Sequence, residues 1–139
     1  MNNELLRRWL PVYQWLAGSC DTATGLLLMV APGWTLACMG MQHPPQPIEF
    51  AGFIGAFVFS VGAACLYAAR LPMDAGNAPR WQTVWLLTAL TRTMVAAFLA
   101  WRMATGQLEL AWITVALTDG ALALFQWTGL WQGWLRFKG

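Results

Sequence analysis

The sequence predicts an all-α integral membrane protein: one four-helix bundle spanning residues 1–139 as a single domain, with both termini cytoplasmic. Two observations carry that expectation. Of 139 residues, 58% are hydrophobic and only 10% are charged, whereas a soluble domain carries about 25% charged residues. Ten tryptophans and seven phenylalanines make the apolar fraction bulky. So little polar surface cannot cover a water-exposed globule, which argues against a soluble enzyme domain and against a solvated, disordered chain. A net charge of +2, scattered along the chain, gives no footprint for nucleic acid. The second observation is where the charges fall. Ten of the 14 lie in short clusters (Glu4, Arg7, Arg8; Arg70, Asp74, Arg80; Arg102, Glu109; Arg136, Lys138), and between them stand four apolar runs.

Those runs are approximately residues 10–31, 48–69, 81–101 and 110–130. Each is about the 20 residues that a helix needs to cross a hydrocarbon core about 30 Å thick. Helices satisfy their own backbone within the bilayer, and the short alternating strands of a barrel are not present. The first run is long, contains Asp21 and lacks a clear small-residue cleavage site, so it is expected to stay in place. Pro32-Gly33 ends it. Residues 34–41 then read as a short interfacial helix, and Gln42-His43-Pro44-Pro45-Gln46-Pro47 as a helix-breaking approach to the second run. Leu71-Pro72 and Gly76-Asn77-Ala78-Pro79 punctuate the next connection. Thr105-Gly106-Gln107 makes the last turn short, so the third and fourth helices are expected to be antiparallel neighbours.

Basic residues set the orientation. Arg7, Arg8, Arg70, Arg80, Arg136 and Lys138 fall on one side and only Arg102 on the other, a six-to-one positive-inside bias. In that frame Trp9, Trp81, Trp85, Trp131 and Trp134 belong to an inner aromatic belt, and Trp34, Trp101 and Trp112 to an outer one.

The candidate site is a set of ionisable residues inside the spans. Asp21, Arg92 and Asp119 stand near the middle of the first, third and fourth runs, and Glu49 opens the second. A charge at a helix centre costs roughly 2.5–3.5 kcal/mol on insertion scales. Three at one depth with opposite signs are therefore expected to face one another, an arrangement whose net negative charge leaves room for one carboxyl to keep its proton. Gly18, Thr22, Thr24 and Gly25 surround Asp21; Thr88, Thr91 and Thr93 accompany Arg92; Thr118 and Gln126 accompany Asp119. Gly52, Ala56, Ser60 and Ala64 form a small-residue ladder on the second run, a surface that admits close helix approach. The charge set can lock helices together or hold the polar end of a ligand, and spacing alone leaves both open.

Other chemistry is sparse. Cys20, Cys38 and Cys65 form no C-x-x-C pair, and the first and last read as packing residues. Cys38, Met39, Met41 and His43 alternate soft ligands and are weak copper candidates; no metal site is expected otherwise. There is no nucleophile–base pair and no phosphate-binding loop. Gly52 and Gly55 read as helix packing, and an enzyme is not expected.

The first helix ends in Gly25-Leu26-Leu27-Leu28 and Pro32; Glu49 opens the second ahead of Gly52 and Gly55; Arg92 lies in the third and Asp119 in the fourth. This pattern, over roughly residues 17–125, resembles the DoxX-like group of small four-helix bacterial membrane proteins. The resemblance implies a compact bundle in the bacterial inner membrane, in a group where some relatives are small subunits tied to quinone or sulfur redox complexes. The leading expectation is thus a non-catalytic accessory subunit of a larger membrane complex, its partners the lipid bilayer and other membrane subunits or further copies of itself. The alternatives are binding of a lipid or quinone at the polar centre, and proton-coupled transport on the mid-membrane acids.

Overall fold

The computed structural model describes residues 3–136, with side chains from residue 8 onward. Of the charged residues that set the orientation, Arg7 and Lys138 lie outside the described side chains, as does Glu4. The described residues form α1 (Asn3–Val30), α2 (Pro32–Cys38), α3 (Glu49–Ala69), α4 (Ala78–Ala104), a 3-10 turn (Leu110–Trp112) and α5 (Ile113–Trp131). No strand occurs among them.

Among the described residues, three stretches are long and apolar enough to cross a membrane: Glu49–Ala69, Ala78–Ala104 and Leu110–Trp131. The first helix is not among them, although it runs for 28 residues. Gln14, Ser19, Asp21, Thr22 and Thr24 lower its apolar character, and most of that polarity serves packing inside the protein. Helix α4 extends beyond the expected run at both ends. Pro79 in its first turn brings a backbone φ already suited to a helix.

Proline and glycine end the helices as their chemistry requires. Pro32 stops α1 and opens α2. At the end of α2, Gly40 takes φ +81°, a conformation that strains a residue bearing a Cβ. The Met41 N–H then donates to the Leu36 carbonyl and the Gly40 N–H to Ala37, both at 3.0 Å. This closes the helix and turns Met41 inward onto Leu36.

Helices α1 and α3 form one tight antiparallel pair. Gly25 lies against Gly55 and Phe59, and Gly62 against Thr22 and Gly18, so the glycines of each helix recur every seven residues along the seam. A Cβ on Gly25 would fall 2.6 Å from the Gly55 carbonyl, and one on Gly62 would fall 2.8 Å from the Gly18 carbonyl. The expected ladder is thereby corrected. Ala56 and Ser60 face outward, and the seam instead runs through Ala51, Gly55, Gly62, Cys65 and Ala68. The reason is the pitch of the helix: a strict four-residue step drifts around the surface, whereas alternating three- and four-residue steps hold one face. Gly55 is a packing glycine, as expected, and Gly52 meets α1 at ordinary van der Waals distance.

Helices α4 and α5 form the second pair, joined by the short turn after Ala104 and antiparallel as expected. Among the described residues no Cα of α1 comes within 8 Å of α4 or α5, and none of α3 within 8 Å of α5. Apart from the approach of α3 to α4, the two pairs are therefore joined by side chains. At one end Leu10, Ala68, Trp81, Trp85 and Leu135 make a buried cluster. At the other, Leu28, Leu36, Met41 and Ala51 pack with Trp112 and Val115. Trp81 and Trp85 are fully buried in the first cluster, so they are core residues and not part of an aromatic belt. Trp9, Trp34, Trp101 and Trp131 are exposed, as an interfacial position requires.

Candidate functional site

The polar centre lies between the two helix pairs. Arg92 on α4 is 3% exposed and holds two acids at once. Its Nη2 donates to Asp21 Oδ2 on α1, and its Nη1 donates to Asp119 Oδ1 on α5 at 2.6 Å. The three mid-span charges expected from the sequence are thus brought together in one set. Each carboxylate meets Arg92 through one oxygen, and the acid side chains remain 16% and 19% exposed. Counted formally, two carboxylates and one guanidinium leave a net charge of −1 unless the set also holds a proton.

A second polar layer lies one heptad away. The Trp85 indole N–H donates to Gln14 Oε1 at 2.8 Å, and the Gln126 amide donates to Thr88 Oγ1 at 2.9 Å. Gln14 precedes Asp21 by seven residues, Trp85 precedes Arg92 by seven, and Gln126 follows Asp119 by seven. Two turns of an α-helix return nearly to the same face, so one register carries both layers. Both α1–α4 pairs are 71 residues apart in sequence, so the two helices run in the same direction. Tyr13 packs its ring on Phe125 at 4.6 Å and edge-on to Trp85 at 5.7 Å, which closes the side of this layer. The fully buried Cys65 thiol on α3 lies beside Gln14 and Arg92. Its packing role stands as expected, whereas Cys20, read the same way, is exposed.

Several polar atoms in this interior are buried with no oxygen or nitrogen partner: Tyr13 Oη, Gln14 Nε2, Thr22 Oγ1, Trp81 Nε1, Arg92 Nε and Gln126 Oε1. Of these residues, Gln14 and Arg92 have the Cys65 thiol as a hydrogen-bonding neighbour. Interiors rarely leave such groups unpaired, so this set marks where polar company belongs.

Glu49 does not join the set. It is exposed in the first turn of α3 and makes no ion pair among the described residues. In the register of the α1–α3 seam it stands near the end of α1, well away from Asp21. Grouping it with the mid-span charges is corrected on that ground: a carboxylate at a helix N-terminus is already favoured by the helix dipole and needs no buried partner.

The copper candidates are likewise divided. Met41 is buried against Leu28, Leu36 and Ala51, Met39 packs on the same cluster, and Cys38 is exposed. His43 is 84% exposed and places its Nδ1 3.5 Å from Glu109 Oε2. Among the described residues no group of three His, Cys, Asp or Glu side chains converges.

Glu109 forms a clasp that sequence reading missed. Its two oxygens accept the backbone N–H groups of Gln42 and His43 at 3.1 and 3.2 Å, which pins the α2–α3 loop to the turn between α4 and α5. Desolvation acts against the ionised carboxyl. The two N–H groups and the His43 imidazole outweigh it and hold Glu109 below the usual carboxylate range. No sequence signal pointed here, because the bonds are to backbone, which any residues at positions 42 and 43 other than proline would supply.

Comparison with family models, curated proteins and solved structures finds no match to this chain.

Proposed function

We propose that the chain is a multi-pass protein of the bacterial inner membrane, a four-helix bundle with both termini cytoplasmic, that serves as a non-catalytic accessory subunit of a larger membrane complex. The observation that carries this reading is the engagement of Arg92. Its two terminal nitrogens are bound to acids on two other helices, so the strongest polar group in the interior holds the bundle together. The exterior supports it. Phe50, Phe53 and Phe57 on α3, and Leu87, Met94 and Phe98 on α4, are exposed side chains suited to lipid or to another subunit's helices. Kinship with the DoxX-like group belongs to the same proposal and rests on the placement of Arg92 and Asp119.

Extraction of the tagged chain from its native membrane in a mild detergent, followed by mass spectrometry, tests the reading. Companion polypeptides in fixed ratio are expected. A chain that runs alone as a monodisperse species would refute it.

A second reading is favoured by the free oxygens of Asp21 and Asp119. Both acids keep some exposure, so the polar end of a lipid or quinone could meet them from the side of the bundle. The same extraction would then retain one small molecule and no companion chain, and Arg92→Ala would lose it.

A further inference from the structure

We infer that Asp21, Arg92 and Asp119 form a proton-exchanging site that is reached from only one end of the bundle, through a file of hydrogen-bonding groups between the two helix pairs.

The inference starts from how the unpaired buried atoms are distributed. Trp81 Nε1 lies in the cluster next to the α3–α4 connection, residues 70–77. Tyr13 Oη and Gln14 Nε2 follow at the level of Trp85, and Gln126 Oε1 at the level of Thr88. Arg92 Nε and Thr22 Oγ1 stand at the charge set itself. From Trp81 to Arg92 is 11 residues of α4, or about 16 Å at 1.5 Å per residue. Along that length the interior offers donors and acceptors in turn. Gln14, Gln126, Trp81 and Arg92 are all more than nine-tenths buried, so lipid cannot satisfy them. Water can, since it donates and accepts, and buried waters characteristically bind otherwise unpaired polar groups.

Apolar clusters cap both ends of the interior: Leu10, Ala68 and Leu135 surround Trp81 at one end, and a second cluster lies beyond the charge set. Only the unpaired polar atoms are confined to one half. Leu28, Leu36, Met41, Ala51, Trp112 and Val115 close the other end, and the Glu109 clasp lies over them. None of the unpaired atoms belongs to that region. The polar file therefore starts at the buried Trp81, which packs with Leu71 and Met73 of the α3–α4 connection beside the exposed Arg70 and Asp74, and it stops at the three charges.

The charges supply the proton site. Arg92 neutralises one of its two acids, and the remaining negative charge is neutralised when a proton binds one carboxylate oxygen. The proton comes from solvent along the file and returns the same way, so no other reactant is needed. The titratable and charged groups facing the set are Asp21 and Tyr13 from α1, Cys65 from α3, Arg92 from α4 and Asp119 from α5. The accessory role does not require this exchange, and the exchange does not depend on a companion subunit.

Infrared spectroscopy of the protein in phosphatidylcholine vesicles tests the proposal directly. A protonated carboxyl band is expected that disappears in Asp21→Asn or in Asp119→Asn. On transfer to D2O it should shift within the mixing time. Gln126→Leu, which replaces one polar step of the file, should slow that shift by about tenfold, because exchange then needs local opening of the bundle. Glu109→Gln, at the closed end, should leave the rate unchanged. Three results would overturn the proposal: no protonated carboxyl band in the unmodified protein, a band that shifts only on the timescale of global unfolding, or a rate that responds to Glu109→Gln and not to Gln126→Leu. The unmodified protein decides the first two, so the test stands even if a variant fails to fold.

Discussion

Asp21 and Arg92 are paired across 71 residues of sequence, the same separation that joins Gln14 to Trp85. One register thus carries two polar contacts a heptad apart, and a shift of α1 along α4 would break both. The consequence is a parallel α1–α4 alignment held by side chains, since no Cα pair of these helices approaches within 8 Å.

That register predicts the effect of Gln14→Leu. The substitution keeps the volume of the side chain near its original value and leaves the Trp85 indole N–H without its acceptor in a fully buried position. Leaving one buried donor unpaired costs about 1–3 kcal/mol. Thermal unfolding in detergent should show the loss, and restoring an acceptor with Gln14→Glu should recover part of it.

The glycine seam gives a sharper contrast. Gly55→Val and Gly62→Val would each drive a side chain into the opposite backbone of α1, and overpacking of this kind costs about 1–3 kcal/mol, more where backbone must move. Ser60→Val lies on the outward face of the same helix and should change stability by less than about 0.5 kcal/mol. Thermal midpoints of the three variants check this. Equal effects at positions 60 and 62 would contradict the seam.

The clasp has a defined pH dependence. Binding to the N–H groups of Gln42 and His43 lowers the Glu109 carboxyl below its ordinary value of 4.5. A group with a lowered folded value contributes its stability above that ordinary value and loses it as the pH falls through the lowered one. The clasp is therefore expected to be closed at neutral pH and to open only in acid below the usual carboxylate range. The amide signals of Gln42 and His43 in micelle NMR should titrate together in that acid window. In Glu109→Gln they should show no such titration.

Much of this was legible in the sequence, and the failures have physical causes. Apolar runs bounded by charges located the helices, because a bilayer sets both their length and the cost of a charge within them. The same cost requires Asp21, Arg92 and Asp119 to meet inside the bundle. Glu49 stands where the sequence puts it, at the start of the second run, and only its grouping with the buried charges fails, because an exposed helix N-terminus already accommodates a carboxylate. The ladder through Ala56 and Ser60 failed because small residues on a four-residue step do not reveal which face meets a neighbour. Trp81 and Trp85 read as belt residues from their position near a charged connection, and only the fold shows Trp85 bonded to Gln14 in the core. The Glu109 clasp had no sequence signal, since backbone donors carry no residue identity.

The arrangement of Arg92 between Asp21 and Asp119 is the central claim, and a comparison of two variants tests it most directly. Arg92→Met alone removes the shared partner of two buried acids, and breaking such a set costs about 3–5 kcal/mol. Combining it with Asp21→Asn and Asp119→Asn removes the charges as a unit, a change that is often neutral in a buried ion-pair set. The measurement is the unfolding free energy of both proteins in one detergent. The expected result is a large loss in the single variant and recovery of most of it in the triple variant. A single variant as stable as the unmodified protein, or a triple variant no better than the single one, would contradict the claim that Arg92 holds the two helix pairs together.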